Sequence, residues 1–239
     1  MDEHALKHPA EGVMSMVYML RRNGYGVNPK RVRRLLRKMG HQTVYRRRSL
    51  SKIGSPEYVR PYLLNRMSFT HANQVWAVDI TYIPMKSGFM YCTAIIDIYS
   101  RMIVGWGVSN SLETKWCLQV LEDAIQKHGK PEIINSDQGS QFTSSMWTQT
   151  VEGMGIKVSM DGKGRAIDNR WIERFWKTLK YKHIYLHPPS NGLELYQNIR
   201  DYMNYYNQEK VHHTTKEVPH ERYNASRVVN QLIHEQLLT

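Results

Sequence analysis

The sequence predicts an α/β protein, a five-stranded mixed sheet flanked by helices and preceded by a small, basic helical region. Two observations support this prediction. From residue 75 onward, apolar strand-like runs alternate with stretches of helical periodicity, whereas only helical periodicity occurs before residue 41. Positive charge is concentrated at the start: residues 1–75 hold fifteen Lys and Arg against four Asp and Glu, and residues 76–239 hold eighteen against seventeen.

The N-terminal region is predicted to be a pair of short helices. Residues 9–23 have apolar side chains at helical spacing, and the segment GYGV then breaks the pattern. Asn28 is a suitable cap for a second helix, with Pro29 in its first turn and Gly40 at its end. The candidate DNA-contacting side chains of this helix are Lys30, Arg31, Arg33, Arg34 and Arg37.

This pattern resembles a helix-turn-helix, although any helical hairpin with a solvated basic face would give it as well. The segment that follows, residues 41–74, has little periodicity and is interpreted as a basic linker. Its cluster Arg46, Arg47 and Arg48 is predicted to lie along DNA phosphates.

The rest of the chain is expected to fold as an RNase H-like sheet with helices. Strands are predicted at about 75–85, 89–98, 101–109, 132–135 and 156–159, and helices at about 114–128, 143–154, 169–185, 193–208 and 225–236. In such a sheet the first three strands form a meander and the fourth pairs beside the first. Asp79, in the first strand, would then lie beside Asp137, which follows the fourth.

Three carboxylates point to metal-dependent chemistry on phosphodiesters. Asp79 lies in the apolar run WAVDITYI, where a charge is costly without a cation or donors. Asp137 ends another apolar run, and Glu173 follows after 35 residues in a helix-like stretch. Mg²⁺ prefers hard oxygen ligands, and a pair of such ions activates an oxygen nucleophile and stabilises the leaving oxygen. Asp79, Asp137 and Glu173 are therefore predicted to be the metal ligands and the catalytic residues.

Other residues near this trio receive secondary assignments. Asp97, in the run IIDIYSR, is a competing buried carboxylate, and a structural role is favoured, either pairing with Arg101 or capping a turn. Lys180 lies two helical turns beyond Glu173 on the same face and is a candidate for contact with DNA phosphate. Trp176 is expected to pack in the core rather than to stack on bases.

Composition excludes several other classes of protein. The two cysteines form no CxxC pair, which argues against a disulfide framework or a structural zinc site. No apolar stretch approaches the roughly 18 residues of a membrane helix, and the N-terminus lacks a signal-peptide core. A cytoplasmic, nucleoid-associated protein with no membrane partner is expected.

Residues 74–186 resemble the integrase-like catalytic core of insertion-sequence transposases. The matching strings include NQVWAVDITYIPM, GFMYCTAIIDIYSRMIVGW, NSDQGSQFTS and ERFWKTLKY, and they are most similar to the OrfB product of the insertion-sequence three family. The N-terminal region resembles the helix-turn-helix-like part that precedes this core. The resemblance implies an RNase H-like fold, Mg²⁺ (with Mn²⁺ as a possible substitute) and an Asp-Asp-Glu triad at Asp79, Asp137 and Glu173.

The resemblance also implies DNA transposition through cleavage at element ends and transfer of the 3′-OH to target DNA. Its implied partners are DNA, an OrfA-type protein or fusion, and further copies of the chain on DNA. The expected divisions are a basic region 1–48, a linker 49–73, a core 74–186 and a helical extension 187–239. The chain departs from the family at Lys182, where Glu is usual, and at Lys210 and Val211, where Arg and Pro are usual.

Two alternatives remain open at this point. One is an RNase H-like nuclease without strand transfer, which would use the same carboxylates. The other is a non-catalytic DNA-binding inhibitor of transposition, which the basic N-terminal third would suit.

Overall fold

The computed structural model describes residues 1–8, 11–41, 56–162 and 169–237. The chain divides into two compact units, Met1–Ser51 and Lys52–Thr239. The predicted phosphate contacts Arg46, Arg47 and Arg48 lie outside the described residues.

The first unit contains three helices, α1 (Asp2–Lys7), α2 (Val13–Arg22) and α3 (Pro29–Lys38). Helix α1 was not predicted, and α2 begins four residues later than expected because Gly12 precedes its first turn. A small apolar core joins the helices, and its buried members are Met16, Val17, Leu20, Val32 and Leu36.

Local signals in the sequence determine both ends of α3. The Asn28 side chain accepts a hydrogen bond from the backbone N–H of Arg31 at 2.8 Å, which confirms the predicted cap. At the other end Gly40 has φ of 73° and the His41 N–H bonds to the Leu36 carbonyl, as in a Schellman motif. The predicted basic side chains of α3 are all exposed: Lys30, Arg31, Arg33, Arg34 and Arg37.

The second unit is built on a five-stranded sheet. Its strands are β1 (Val75–Pro84), β2 (Phe89–Asp97), β3 (Ile103–Ser109), β4 (Ile133–Ser136) and β5 (Lys157–Met160). They lie in the order β3-β2-β1-β4-β5, antiparallel from β3 to β1 and parallel from β1 to β5. The predicted meander and the predicted pairing of the fourth strand beside the first are confirmed.

Helices cover both faces of the sheet. Alternate residues of β1 point to opposite sides, so Ala77 packs in one core and Trp76 and Val78 in the other. The Trp76 face is covered by α4 (Thr114–His128) and α5 (Ser145–Gly153), and the Ala77 face by α6 (Arg170–Leu179) and α7 (Gly192–Gln208). Helix α8 (Pro219–Leu237) follows and contributes the buried Tyr223.

Two helix predictions need correction. The helix expected over 169–185 ends as an α-helix at Leu179 and continues as a π-helical turn, Lys180–Ile184. The last helix begins at Pro219, six residues before the expected start, because Pro favours the first turn of a helix. Among the described helices, none combines the length and the apolar character that crossing a membrane requires.

Helix α4 lies unusually close to β3 because two strand positions are glycine. A Cβ atom added at Gly105 would lie 2.8 Å from the Cβ of Ala124 and 3.2 Å from the carbonyl oxygen of Val120. A Cβ at Gly107 would lie 2.7 Å from the ring of Trp116. The close approach therefore depends on the absence of side chains at these positions.

We expect Gly105→Ala to destabilise the protein by about 1–3 kcal/mol, because the methyl group meets rigid helix backbone and a second Cβ. Chemical denaturation measures this loss. Gly153→Ala is the matched control, since nothing lies within 4 Å of its added Cβ. Equal stability of the two variants would contradict the tight contact between α4 and β3.

Candidate active site

The parallel pairing of β1 with β4 brings two predicted ligands together. Val75 pairs with Ile133 and Ala77 with Asn135, so the same register places Asp79 opposite Asp137, just beyond the last paired residue of β4. Adjacent strands lie about 4.8 Å apart, and residues with equal offsets point to the same face. Both carboxylates therefore lie on the face covered by α6.

Asp79 is held in place by two hydrogen bonds. Its Oδ1 accepts the backbone N–H of Ile80 at 2.8 Å, and its Oδ2 accepts the indole N–H of Trp176 at 3.0 Å. The pKa of Asp79 is raised to about 7, first by burial and then by the nearby charges of Asp137 and Glu173. The two hydrogen bonds act in the opposite direction.

Asp137 lies at the start of the loop after β4. Its Oδ1 accepts the backbone N–H of Gly139 at 2.9 Å. Desolvation by the surrounding protein raises the pKa of Asp137, although the residue as a whole is exposed. A Cβ at position 139 would lie 2.9 Å from that same Oδ1, so a larger residue there would displace the carboxylate oxygen.

Glu173 is an exposed residue in the first turn of α6. It lies three residues before Trp176, on the same helix face. Its carboxylate acts on Asp79 through charge. Across the described residues, no three His, Cys, Asp or Glu side chains are gathered closely enough to hold a metal ion. The structure thus brings Asp79 and Asp137 together, with Glu173 near them but not drawn into one tight cluster.

A buried polar network supports the loop that carries Asp137. The Asn135 amide donates to Asp161 Oδ1 at 2.8 Å, and Ser159 Oγ donates to Asn135 Oδ1 at 2.7 Å. The Gln138 amide donates to the Asp161 carbonyl at 2.8 Å. Because buried polar groups are costly when unpaired, these bonds fix the ends of β4 and β5 in one arrangement.

Lys180 lies at the edge of this site. Its Nζ donates to Thr81 Oγ1 at 2.6 Å, two residues beyond Asp79 on the same strand face. Burial lowers the pKa of Lys180, and the charge of Asp79 acts in the opposite direction. The side chain is therefore fixed beside the carboxylates, and its contact with DNA stays a prediction.

Asp97 has the structural role that the sequence favoured. Its Oδ1 accepts the N–H and the hydroxyl of Ser100 at 2.7 and 2.6 Å, and its Oδ2 accepts the N–H of Asn73 at 2.8 Å. The carboxylate therefore caps the turn between β2 and β3, and in the described residues it forms no ion pair with Arg101. It is fully buried.

The contribution of Trp176 was missed at the sequence level. Its ring packs in the core as predicted, with 6% of the residue exposed. Its indole N–H reaches Asp79, which the packing role alone did not suggest. The available signal was its spacing of three from Glu173, together with the need of a buried indole N–H for an acceptor.

Comparison with known proteins identifies the family. Family models described as Integrase core domain match residues 70–166 and 154–219, and one described as HTH-like domain matches residues 1–49. The transposase for insertion sequence element IS904 of Lactococcus lactis is 36% identical over 208 residues, which cover 84% of this chain and 82% of that protein. The chain belongs to the integrase-core transposases of the insertion-sequence three family.

A further relative is transposase InsF for insertion sequence IS3A of Escherichia coli K12. It is 31% identical over 173 residues, covering 70% of this chain and 59% of that protein. The transposase for IS629 of Shigella sonnei is 30% identical over 226 residues, covering 92% of this chain and 76% of that protein.

Solved structures confirm the fold of this transposase. The catalytic core domain of HTLV-2 integrase, solved in complex with magnesium, matches with a TM-score of 0.54 at 20% identity, covering 65% of this chain and 99% of that one. The catalytic core domain of BIV integrase matches with a TM-score of 0.54 at 15% identity, covering 66% and 99%. The predicted RNase H-like sheet is therefore confirmed.

Two of the three positions that differ from the pattern expected from the resemblance lie together in space. Lys182 and Lys210 both line a cavity beside α6, with Tyr206 and His213 among its other walls. The ammonium of Lys210 lies 5.6 Å from the centre of the Tyr206 ring. Burial lowers the pKa of Lys210, and the charge of Lys182 lowers it further. Lys182, where the resemblance leads us to expect Glu, therefore adds positive charge beside α6, whereas Lys210 in place of Arg keeps the charge unchanged.

We expect Asp79→Asn to change how the stability of the metal-free protein depends on pH. A carboxyl group with a raised folded pKa stabilises the fold while protonated, and this stabilisation is lost as pH rises from 3.8 to about 7. The full shift is worth roughly 4 kcal/mol. The variant should therefore gain stability relative to the parent as pH rises from about 4 to about 7, measured by urea denaturation with a chelator. If stability depended on pH in the same way in the parent and the variant, the raised pKa of Asp79 would be contradicted.

Proposed function

We propose that this transposase performs divalent-metal-dependent DNA cleavage and 3′-OH strand transfer during transposition of an insertion sequence, as a polynucleotidyl transferase. The observation that carries the proposal is the register of β1 and β4, which sets Asp79 opposite Asp137. The charge of Glu173, on α6, also raises the pKa of Asp79. Asp79, Asp137 and Glu173 are hereafter called the carboxylate site.

The donors of the carboxylate site suit Mg²⁺, with Mn²⁺ as a substitute, although Glu173 is not gathered tightly with Asp79 and Asp137 in the structure. Its donors are hard oxygens, and the mutual repulsion that raises the pKa of Asp79 is relieved by a cation. A related fold, the HTLV-2 integrase core, is described in complex with magnesium. When bound, such ions lower the cost of charge on the reacting phosphate and activate the attacking hydroxyl or water.

The protein's own residues supply rigidity and orientation. Ile80 and Trp176 fix both oxygens of Asp79, so this carboxylate does not reorganise when substrate arrives. Gly139 fixes one oxygen of Asp137 through its backbone N–H. Lys180, fixed beside Thr81, is placed to contact a DNA phosphate near the reacting bond.

DNA is held mainly by the basic region, residues 1–48, and by the linker, residues 49–73. Helix α3 exposes Lys30, Arg31, Arg33, Arg34 and Arg37, and Arg46, Arg47 and Arg48 extend the charge along the sequence. The core spans 74–186 and the extension 187–239 completes it. An OrfA-type partner or fusion and a multimer of this chain on element ends and target DNA complete the active complex.

We expect Asp79→Asn, Asp137→Asn and Glu173→Gln each to lower cleavage and strand transfer by about 100-fold or more, because each removes a charged oxygen ligand. The assay uses duplexes with the element's inverted-repeat ends, a target plasmid and Mg²⁺ or Mn²⁺, with any OrfA-type partner present. Asp123→Asn, an exposed change on α4, is the matched control and should retain full activity.

The products separate this proposal from its two alternatives. Joined DNA indicates strand transfer, whereas hydrolysis without joined DNA would indicate a nuclease. Tight DNA binding with no metal-dependent product would indicate an inhibitor. Parental activity in Asp137→Asn would remove the carboxylate site from the mechanism.

We expect the double variant Arg31→Gln, Arg34→Gln to weaken binding of any duplex, whatever its sequence. Two lost phosphate contacts should reduce the slope of log binding constant against log salt by about 2. Fluorescence anisotropy over a salt series measures this slope. Lys127→Gln, Arg200→Gln removes the same charge from exposed positions of α4 and α7 and serves as the control. Identical slopes for all proteins would contradict the role of α3.

A further inference from the structure

A basic cavity of about 350 Å³ lies along α6, apart from the carboxylate site. We call it the arginine pocket. It is lined by Arg101, Arg170, Trp171, Arg174, His212 and Thr214. Its volume is in the range of ligand pockets, and none of the described residues that line it is acidic.

Three arginines concentrate positive charge at the arginine pocket. In the described part of the chain, the structure records no ion pair for Arg101, Arg170 or Arg174. The pKa of Arg101 is lowered to about 10, mainly by burial. Tyr206 and Asp97 oppose this shift, and the charge of Arg170 adds to it. Burial together with the neighbouring cations, Arg101 first, lowers the pKa of His212 to about 4. Gathering like charges at a partly buried place is costly unless an anion joins them.

The aromatic wall of the pocket directs it toward phosphate rather than toward a base. The guanidinium groups of Arg101 and Arg170 lie 5.8 and 4.9 Å from the centre of the Trp171 ring, and Phe69 meets that ring edge-on. Trp171 is thus already occupied by cations, which it orients. Oriented guanidinium forks match phosphate oxygens, so the donors are suited to the backbone of a nucleic acid.

Helix α6 links the arginine pocket to the carboxylate site. Arg170 lies three residues before Glu173, and Arg174 follows it directly. Side chains three apart on a helix have Cβ atoms about 5–6 Å from each other. Arg170 is also the first residue of α6, where the helix dipole adds to the positive potential. A strand whose phosphate reaches Asp79 would therefore pass the arginine pocket.

The basic surface continues on both sides of the pocket. The cavity that holds Lys182 and Lys210 shares Trp171, Arg174 and His212 with it. A recess lined by Arg66 shares Arg170 and Trp171. A continuous basic track fits an extended polyanion better than a single small anion.

We propose that the arginine pocket binds a backbone phosphate of DNA adjacent to the phosphate at the carboxylate site. This inference rests on the proposed function, because it takes DNA as the substrate. It assigns to the core a phosphate contact that orients the strand, in addition to the affinity that α3 supplies.

The test uses a single cysteine as a footprinting probe at the pocket. Thr214 is exposed, whereas the native Cys92 and Cys117 are buried, so Thr214→Cys introduces the reactive thiol. The full-length variant is treated with a maleimide, without divalent metal, and alkylation is followed by mass spectrometry. A short duplex of mixed sequence should slow alkylation in proportion to the DNA-bound fraction, which anisotropy measures in the same samples. Gln119→Cys, exposed on α4, is the control and should react at the same rate with and without DNA.

A double change then links protection to the arginines. Arg170→Gln, Arg174→Gln in the Thr214→Cys background should lose protection at equal DNA occupancy, because exposed residues are changed and the fold is kept. Arg101 is left unchanged because its guanidinium also bonds to the Ile98 carbonyl. Lys127→Gln, Arg200→Gln is the charge-matched control and should keep protection.

Other occupants give other results, and each would overturn the proposal. Protection by inorganic phosphate but not by DNA would indicate a free anion. Protection that rises with protein concentration in the absence of DNA would indicate an acidic surface of a second copy. If DNA saturation did not slow alkylation of the Thr214→Cys variant, the pocket would hold no DNA phosphate.

Failure of the phosphate contact and failure of the proposed chemistry would give different results. If the pocket does not bind phosphate, Thr214→Cys stays reactive while DNA binding and metal-dependent cleavage persist. If the proposed chemistry is wrong, products are absent from the cleavage assay while the footprint at position 214 still reports DNA. The Arg170→Gln, Arg174→Gln variant should also show a reduced salt slope of DNA binding, by about 1 for one phosphate.

Discussion

The parallel pairing of β1 with β4 is the constraint on which the rest of this molecule depends. A shift of one residue in that register would turn Asp137 away from Asp79 and would exchange the residues that face the two cores. The register is fixed by packing, since Ala77 and Trp76 must reach opposite layers. Hydrophobic packing thus holds two carboxylates together, and the pKa of Asp79 is raised first by burial and then by the charge of Asp137.

Helix α6 has three separate tasks because a helix has several faces. Ile172, Phe175 and Leu179 anchor it in the core. Trp176 reaches Asp79 with its indole N–H, and Glu173 adds a carboxylate from the same side. The face with Arg170 and Arg174 lines the basic cavity. Any movement of α6 would therefore change the carboxylates and the phosphate contacts together.

A cluster of carboxylates repels the polyanion on which it is proposed to act. The basic N-terminal unit offers affinity, but the core itself is nearly neutral in net charge. The proposed phosphate contact at the arginine pocket would resolve this conflict locally, because guanidinium groups that form no ion pair within the described residues would offset repulsion along the path of a strand. Lys182 and Lys210 line the adjoining cavity and contribute to the same positive potential.

The sequence by itself determined the local and periodic features. Asn28 and Gly40 marked the ends of α3. Apolar runs separated by turn residues predicted the strands, and an RNase H-like arrangement of them predicted the meander. The contexts and spacing of Asp79, Asp137 and Glu173 marked the candidate site. Tertiary structure decided what depends on distant residues: the indole N–H of Trp176 on Asp79, the close approach of α4 to Gly105, and the gathering of Arg101 with Arg174. Periodicity reports which side of an element is buried, whereas the partner across a packed interface is set only when the layers assemble.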